Sequence, residues 1–183
     1  MPLDVKRPEF TFEYPDQSMH RTLSFAEYDV SELQNFLKSF KINITNIESF
    51  YTAPNGGELP IHTDMPMLDN RVKINLTWGP EEGRTRWWKA KDMKALQRNM
   101  VNNYKDLDFT DAKHDNLLIK KEDADMVYEA STNRLSLVNV GQLHSTYNPA
   151  NQGRWTLCFI LGEDSGLHLT WKDAVNRLRY YIE

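Results

Sequence analysis

A mainly β chain with helices near both ends, folded as a compact sandwich or barrel, is the fold class the sequence predicts. Two observations lead to it. Short runs rich in β-branched and aromatic residues recur along the chain, separated by turn-forming residues. Convincing helical spacing of apolar residues, outside one central stretch, is confined to the two flanks.

The elements follow in order. EFTFEY (residues 9–14) alternates enough for an early strand. Ser31-Glu-Leu-Gln34 reads as a capping box, and Leu33, Phe36, Leu37 and Phe40 form one helical stripe behind it. KINITNIESFYTA (41–53) has the β-branched and aromatic content of a strand, and Pro54-Asn-Gly-Gly57 is a turn signal. LPIHTD (59–64), Arg71–Trp78 and Thr85–Lys89 read as further strands. Residues 90–125 break this rhythm. Met93, Leu96, Met100, Val101 and Tyr104 recur at helical spacing before a charge-rich stretch, so the segment reads as an insertion between core strands, a lid or a surface decoration. The β pattern resumes with DMVYEA, a Ser-Thr-Asn turn, RLSLVNV and GRWTLCFILG. Thr170 caps a final helix running to Tyr180, with Asp173 at its third position.

Composition bounds the function. The 183 residues suit a single domain (1–183, with 90–125 inserted), and ordinary apolar content with abundant aromatics excludes a disordered chain. A formal charge of −4 argues against a general nucleic-acid binder. The lone cysteine, Cys158, rules out an intramolecular disulfide, and inside LCFIL it reads as a small core residue. The N-terminal MPLDVKRPEF has no apolar signal-peptide region, and no apolar run is long enough to span a membrane, so a cytoplasmic protein is expected.

Chemistry concentrates in a few residues. His62 and Asp64, two apart on a strand, share one face and offer an imidazole and a carboxylate. Alone such a pair is more often a surface hydrogen bond than a ligand pair. A second histidine would complete a facial triad with open positions for substrate and O2 on Fe(II). Of the five histidines His144 is the best placed, after an apolar strand and a Gly141-Gln142 break. Arg154 and Thr156 also share a strand face, a guanidinium and a hydroxyl suited to a terminal carboxylate. Arg71, Lys73 and Asn75 alternate along theirs. That row is an exposed strand face or, beside a metal, one wall of a dicarboxylate pocket.

Together, His62-x-Asp64, His144 and Arg154-x-Thr156 resemble the Fe(II)/2-oxoglutarate-dependent oxygenases. More narrowly, APNGGELPIHTD, NRVKINLTW and HSTYNPANQGRWTLCF resemble the aspartyl/asparaginyl β-hydroxylase branch, over roughly residues 45–162. The resemblance implies a double-stranded β-helix (jelly roll, cupin-like). It implies Fe(II) held by His62, Asp64 and His144, and 2-oxoglutarate held at its distal carboxylate by Arg154 and Thr156. Arg71 would approach the co-substrate from the facing strand, and Tyr51 would hydrogen-bond it or serve as core. Lys73 stands where that branch usually has a histidine, and Asn148 would support the iron or substrate side by position. The implied activity is a dioxygenase: hydroxylation of a C–H bond in an amino acid or peptide side chain, coupled to decarboxylation of 2-oxoglutarate to succinate and CO2. A cupin-like metal-binding protein and a non-catalytic 2-oxoglutarate-binding module are the alternatives. H-E-x-x-H is absent, and Gly162-Glu-Asp-Ser165-Gly166 misses the serine-hydrolase elbow by one position.

Overall fold

The structure, a computed structural model, describes residues 18–23, 28–99, 116–132 and 134–182. The strand expected at 9–14 and most of the charge-rich part of the 90–125 segment lie outside these residues.

Two antiparallel sheets carry the fold. The first has the order β1 (Met19–Leu23), β2 (Ile42–Thr52), β12 (Arg154–Glu163), β5 (Val72–Trp78), β10 (Ser136–Asn139). The second runs β7 (Gln97–Asn99), β8 (Asn116–Ile119), β4 (Ile61–His62), β11 (His144–Asn148), β6 (Arg84–Ala90), β9 (Ala124–Ala130), with β3 (Gly57–Glu58) also on β11. The pairing is nested. Leaving aside β1, β7 and β8, the first strand pairs with the last (β2 with β12) and the next inward with the next inward (β3 and β4 with β11). The series continues with β5 on β10 and β6 on β9. Four antiparallel pairs wound from one folded-over ribbon define a double-stranded β-helix, the jelly roll expected above.

Alternation along the strands divides inside from outside. On β12, Leu157, Phe159 and Leu161 face outward, and β5 turns Val72 and Ile74 the same way. These residues pack under α1 (Ser31–Lys38) through Leu33 and Leu37, and under α2 (Trp171–Leu178) through Ala174 and Leu178. The intervening residues Thr156, Cys158, Lys73 and Asn75 line the interior between the sheets. β2 serves both sides by a bulge. Its register against β12 shifts between Ile160 and Leu161, so Ile42 and Ile44 and then Ile47 all meet the outer core. After the shift, Glu48 and Phe50 fall on the inward side.

Local expectations fare unevenly. Thr170 does cap α2, its hydroxyl accepting from the Asp173 amide. The capping box at Ser31 does not form. The N-cap of α1 is Val30, and the Asp29 carboxylate accepts from the Ser31 amide. Gln34 turns instead to β2, accepting from the Ile44 amide. The helical spacing from Met93 is likewise not realised where described: Met93–Ala95 is a single 3-10 turn, and β7 follows. Among the described residues no helix is long and apolar enough to cross a membrane.

Candidate metal centre

The turn Pro54–Gly57 carries the chain from β2 across to the second sheet. Asn55 (φ 56°) and Gly56 (φ 91°) both adopt left-handed backbone, the pairing an Asn-Gly turn supplies at low strain. β4 then ends at His62, and Asp64 lies just beyond the strand, its amide donating to the Val140 carbonyl. β11 starts at His144, whose ladder partners are His62 on one side and Trp87 on the other. Adjacent strands thus deliver the two histidines side by side, ring centroids 4.5 Å apart.

Both imidazoles are oriented by their own backbone. Nδ1 of His62 lies 2.7 Å from the Pro60 carbonyl, and Nδ1 of His144 lies 2.9 Å from that of Gln142. A carbonyl only accepts, so Nδ1 carries the proton and Nε2 presents its lone pair. Those Nε2 atoms converge on Asp64 Oδ1, at 3.4 Å from His62 and 3.5 Å from His144. The distances are long for hydrogen bonds. They fit ligands about 2.1 Å from one shared ion, which stand roughly 3.0 to 3.4 Å apart. Burial, then the neighbouring His62, lowers the pKa of His144 to about 4, keeping it neutral as a ligand must be.

Lys73 reaches the same group from the first sheet. Its Nζ is 2.5 Å from Asp64 Oδ2 and 2.5 Å from Glu48 Oε2. Burial alone would raise the Asp64 pKa, but Lys73 with the two histidines holds it well below the usual carboxylate range. Burial would correspondingly lower that of Lys73, and its two carboxylate partners raise it instead.

The same interior extends along β12 and its neighbours. Its wall includes Thr156, Thr85, Thr146 and Asn75, with Phe50, Leu59 and Val138 as an apolar side. Arg154, first residue of β12, is 1 % exposed. Its Nη2 donates to Thr132 Oγ1 (2.7 Å), and Thr132 in turn bonds Thr85 (3.2 Å). Its Nε has no partner, and among the described residues no carboxylate stands within ion-pair distance. Glycine makes room for it: a Cβ on Gly83 would lie 2.2 Å from Arg154 Cδ. Burial, then nearby Arg84, lowers its pKa to about 10. Oδ1 of Asn75 on the cavity wall is also without a partner.

His62, Asp64, His144, Lys73 and Thr156 are therefore gathered in one interior, and Arg154 is joined to its wall through Thr132 and Thr85. Three other expected residues stand elsewhere. Arg71 precedes the first ladder residue of β5 and turns away to Asp69 (2.9 Å), against the bridge to Thr170. Tyr51 faces outward on β2, packed on Trp155 with ring centroids 4.9 Å apart. Asn148 is a backbone staple, its Nδ2 donating to the carbonyls of Ala53 (3.1 Å) and Gln152 (2.7 Å). Glu48, Thr132, Thr85 and Thr146 were missed by sequence reasoning. Inward alternation was the available signal for Glu48 on β2, where the bulge obscures it, and for Thr85 on β6 and Thr146 on β11. Cys158 is buried as expected, but on the cavity side, where burial raises its thiol pKa.

No protein-family model and no curated protein matches the chain. Among solved structures, a cupin-2 domain from Rhodospirillum rubrum is similar over 96% of this chain and 82% of that one, at 12% identity and a TM-score of 0.30. At that level of superposition it adds nothing to what the strand order establishes. The nested pairing and the cluster define a jelly-roll protein whose His62, Asp64 and His144 could hold one metal ion.

Proposed function

We propose that the chain is a metal-dependent oxygenase: Fe(II) bound by His62, Asp64 and His144, with 2-oxoglutarate as co-substrate and an amino acid or peptide side chain as the group hydroxylated. The observation that carries the step from metal binding to this chemistry is Arg154. A buried guanidinium with an unpartnered Nε and, among the described residues, no carboxylate partner is costly unless an anion completes it, and a dicarboxylate would do so with one end while its other end reached the metal. The donor set fits the metal as well, two neutral imidazoles and one carboxylate leaving coordination positions open.

The bound iron and 2-oxoglutarate would supply the activation of O2 and the oxidising equivalents for C–H hydroxylation. The chain's own residues do the positioning. Pro60 and Gln142 carbonyls fix the imidazoles, Thr132 and the Gly83 gap fix Arg154, and the apolar side of the cavity limits water around the reacting group. The second reading is a cupin-like metal-binding protein with no 2-oxoglutarate. The fold and the ligand cluster support it equally well; the uncompensated arginine favours the oxygenase.

Anaerobic addition of Fe(II) and then 2-oxoglutarate separates them. The oxygenase reading expects a visible charge-transfer band in the wild type, with 2-oxoglutarate binding weakened roughly 30-fold or more in Arg154→Met. Metal binding without that band overturns it in favour of the cupin reading. Given the band, succinate release with candidate amino acids and peptides finds the substrate.

A further inference from the structure

The two oxygens of Asp64 have different neighbours. Oδ1 faces both histidine Nε2 atoms, at 3.4 and 3.5 Å, whereas Oδ2 is taken by Lys73 Nζ at 2.5 Å. Lys73 is not free to leave. It is 5 % exposed, its stem runs through the interior face of β5, and Glu48 on the neighbouring side holds its ammonium a second time. Glu48 and Asp64 come from β2 and the segment after β4, in different sheets, so the ammonium ties the sheets together beside the ligand cluster.

We propose that Lys73 is a positioning residue that restricts Asp64 to one-oxygen coordination of the metal, with Glu48 anchoring Lys73 in that role. The inference rests on the metal-centre reading above. A carboxylate next to a divalent ion can bind through one oxygen or through both, and a second oxygen occupies a position that a co-substrate or water would otherwise take. A charge-assisted hydrogen bond to Oδ2 competes directly with that second bond. The remaining two polar neighbours of the carboxylate are the histidines themselves, so no other described side chain performs this task. Lys73 also has both of its carboxylate partners in place, whereas Arg154 has no carboxylate partner among the described residues.

Infrared spectroscopy reads the binding mode directly. Zn(II)-minus-apo difference spectra of protein labelled with 13C-carboxyl aspartate report the separation between the asymmetric and symmetric stretches of the coordinating carboxylate. It is wider than in the free ion for one-oxygen binding and narrower for two-oxygen binding. The wild type is expected to show the wide separation, Lys73→Met the narrow one, and Glu48→Gln, whose amide oxygen still accepts from the Lys73 ammonium and so keeps it anchored, the wide one. On Mn(II)-loaded protein, water-proton relaxation is expected to show one fewer exchangeable water in Lys73→Met than in wild type. A narrow separation in the wild type overturns the proposal, whether or not Lys73→Met folds. So does an unchanged spectrum in folded Lys73→Met, or narrowing in Glu48→Gln as well, which would assign the effect to cluster charge. Failure of wild-type protein to bind Zn(II) or Mn(II) at all overturns instead the metal-centre reading.

Discussion

Arg154 is the residue whose environment departs furthest from what stability alone would select. Its guanidinium is buried and, among the described residues, paired only to a threonine hydroxyl, with an orphan Nε. Replacing an uncompensated buried charge by an apolar group of similar length is often stabilising. Arg154→Met is accordingly expected to raise the melting temperature of the ligand-free protein by about 2–4 °C, equivalent to ~1 kcal/mol in a domain of this size, while weakening 2-oxoglutarate binding. A fall of that size in thermal melts would mean that the chain itself satisfies Arg154, removing the argument for a bound anion. At this scale the sequence was informative where period-two alternation held. His62, Arg154 and Thr156 needed only that rule, and Asp64 reaches the same cluster from just past its strand. Arg71 obeys the same alternation on paper but sits one residue before the ladder begins, where Asp69 claims it. Glu48 was invisible because its meaning lies in Lys73 and, through it, Asp64, partners distant in the chain.

Among the elements, the link from β5 to β6 shapes the arginine slot. Because a Cβ at Gly83 would stand 2.2 Å from Arg154 Cδ, Gly83→Ala must displace the guanidinium. Calorimetric titration is expected to show 2-oxoglutarate binding weakened roughly 10- to 100-fold, with Zn(II) affinity unchanged. Loss of Zn(II) binding as well would mean that the loop supports the whole barrel rather than Arg154. Element identity was largely legible from composition: the β-branched runs became strands, and the Thr170 cap and the Asn-Gly turn formed as their chemistry requires. Two failures have physical causes. Ser31 offers a capping hydroxyl, but Asp29 reaches its amide first and Gln34 is drawn to β2 by tertiary contact. In the 90–125 segment, the described part of a helical pattern yields to sheet pairing. β8 lies on β4 with Leu118 opposite His62, so that part buttresses the ligand strand instead of covering it.

For the molecule as a whole, the ligand cluster draws on both halves of the chain, so a bound ion ties the N-terminal and C-terminal halves together. An ion that binds only the folded state stabilises it by mass action, about 2.7 kcal/mol at a hundredfold excess over Kd. Thermal melts with saturating Zn(II) are expected to rise by roughly 5–10 °C, and not to rise in His144→Ala. An equal rise in the variant would locate the ion elsewhere. The nested pairing was legible only through the family resemblance, since strand content and turns alone left sandwich and barrel undivided.

That nesting also governs how the molecule comes into being. Because β2 pairs with β12, the earliest strand of the barrel waits for the latest, and nearly every ladder joins residues far apart in the chain. Closing such long loops before any contact repays the entropy places folding in the millisecond-to-second range or slower. On the ribosome, β2 would emerge with its hydrogen-bonding edge open and remain so until Arg154–Glu163 is synthesised. Closure of the barrel and delivery of Thr156 to its interior, with Arg154 behind the wall, are therefore one event, completed by the same strand.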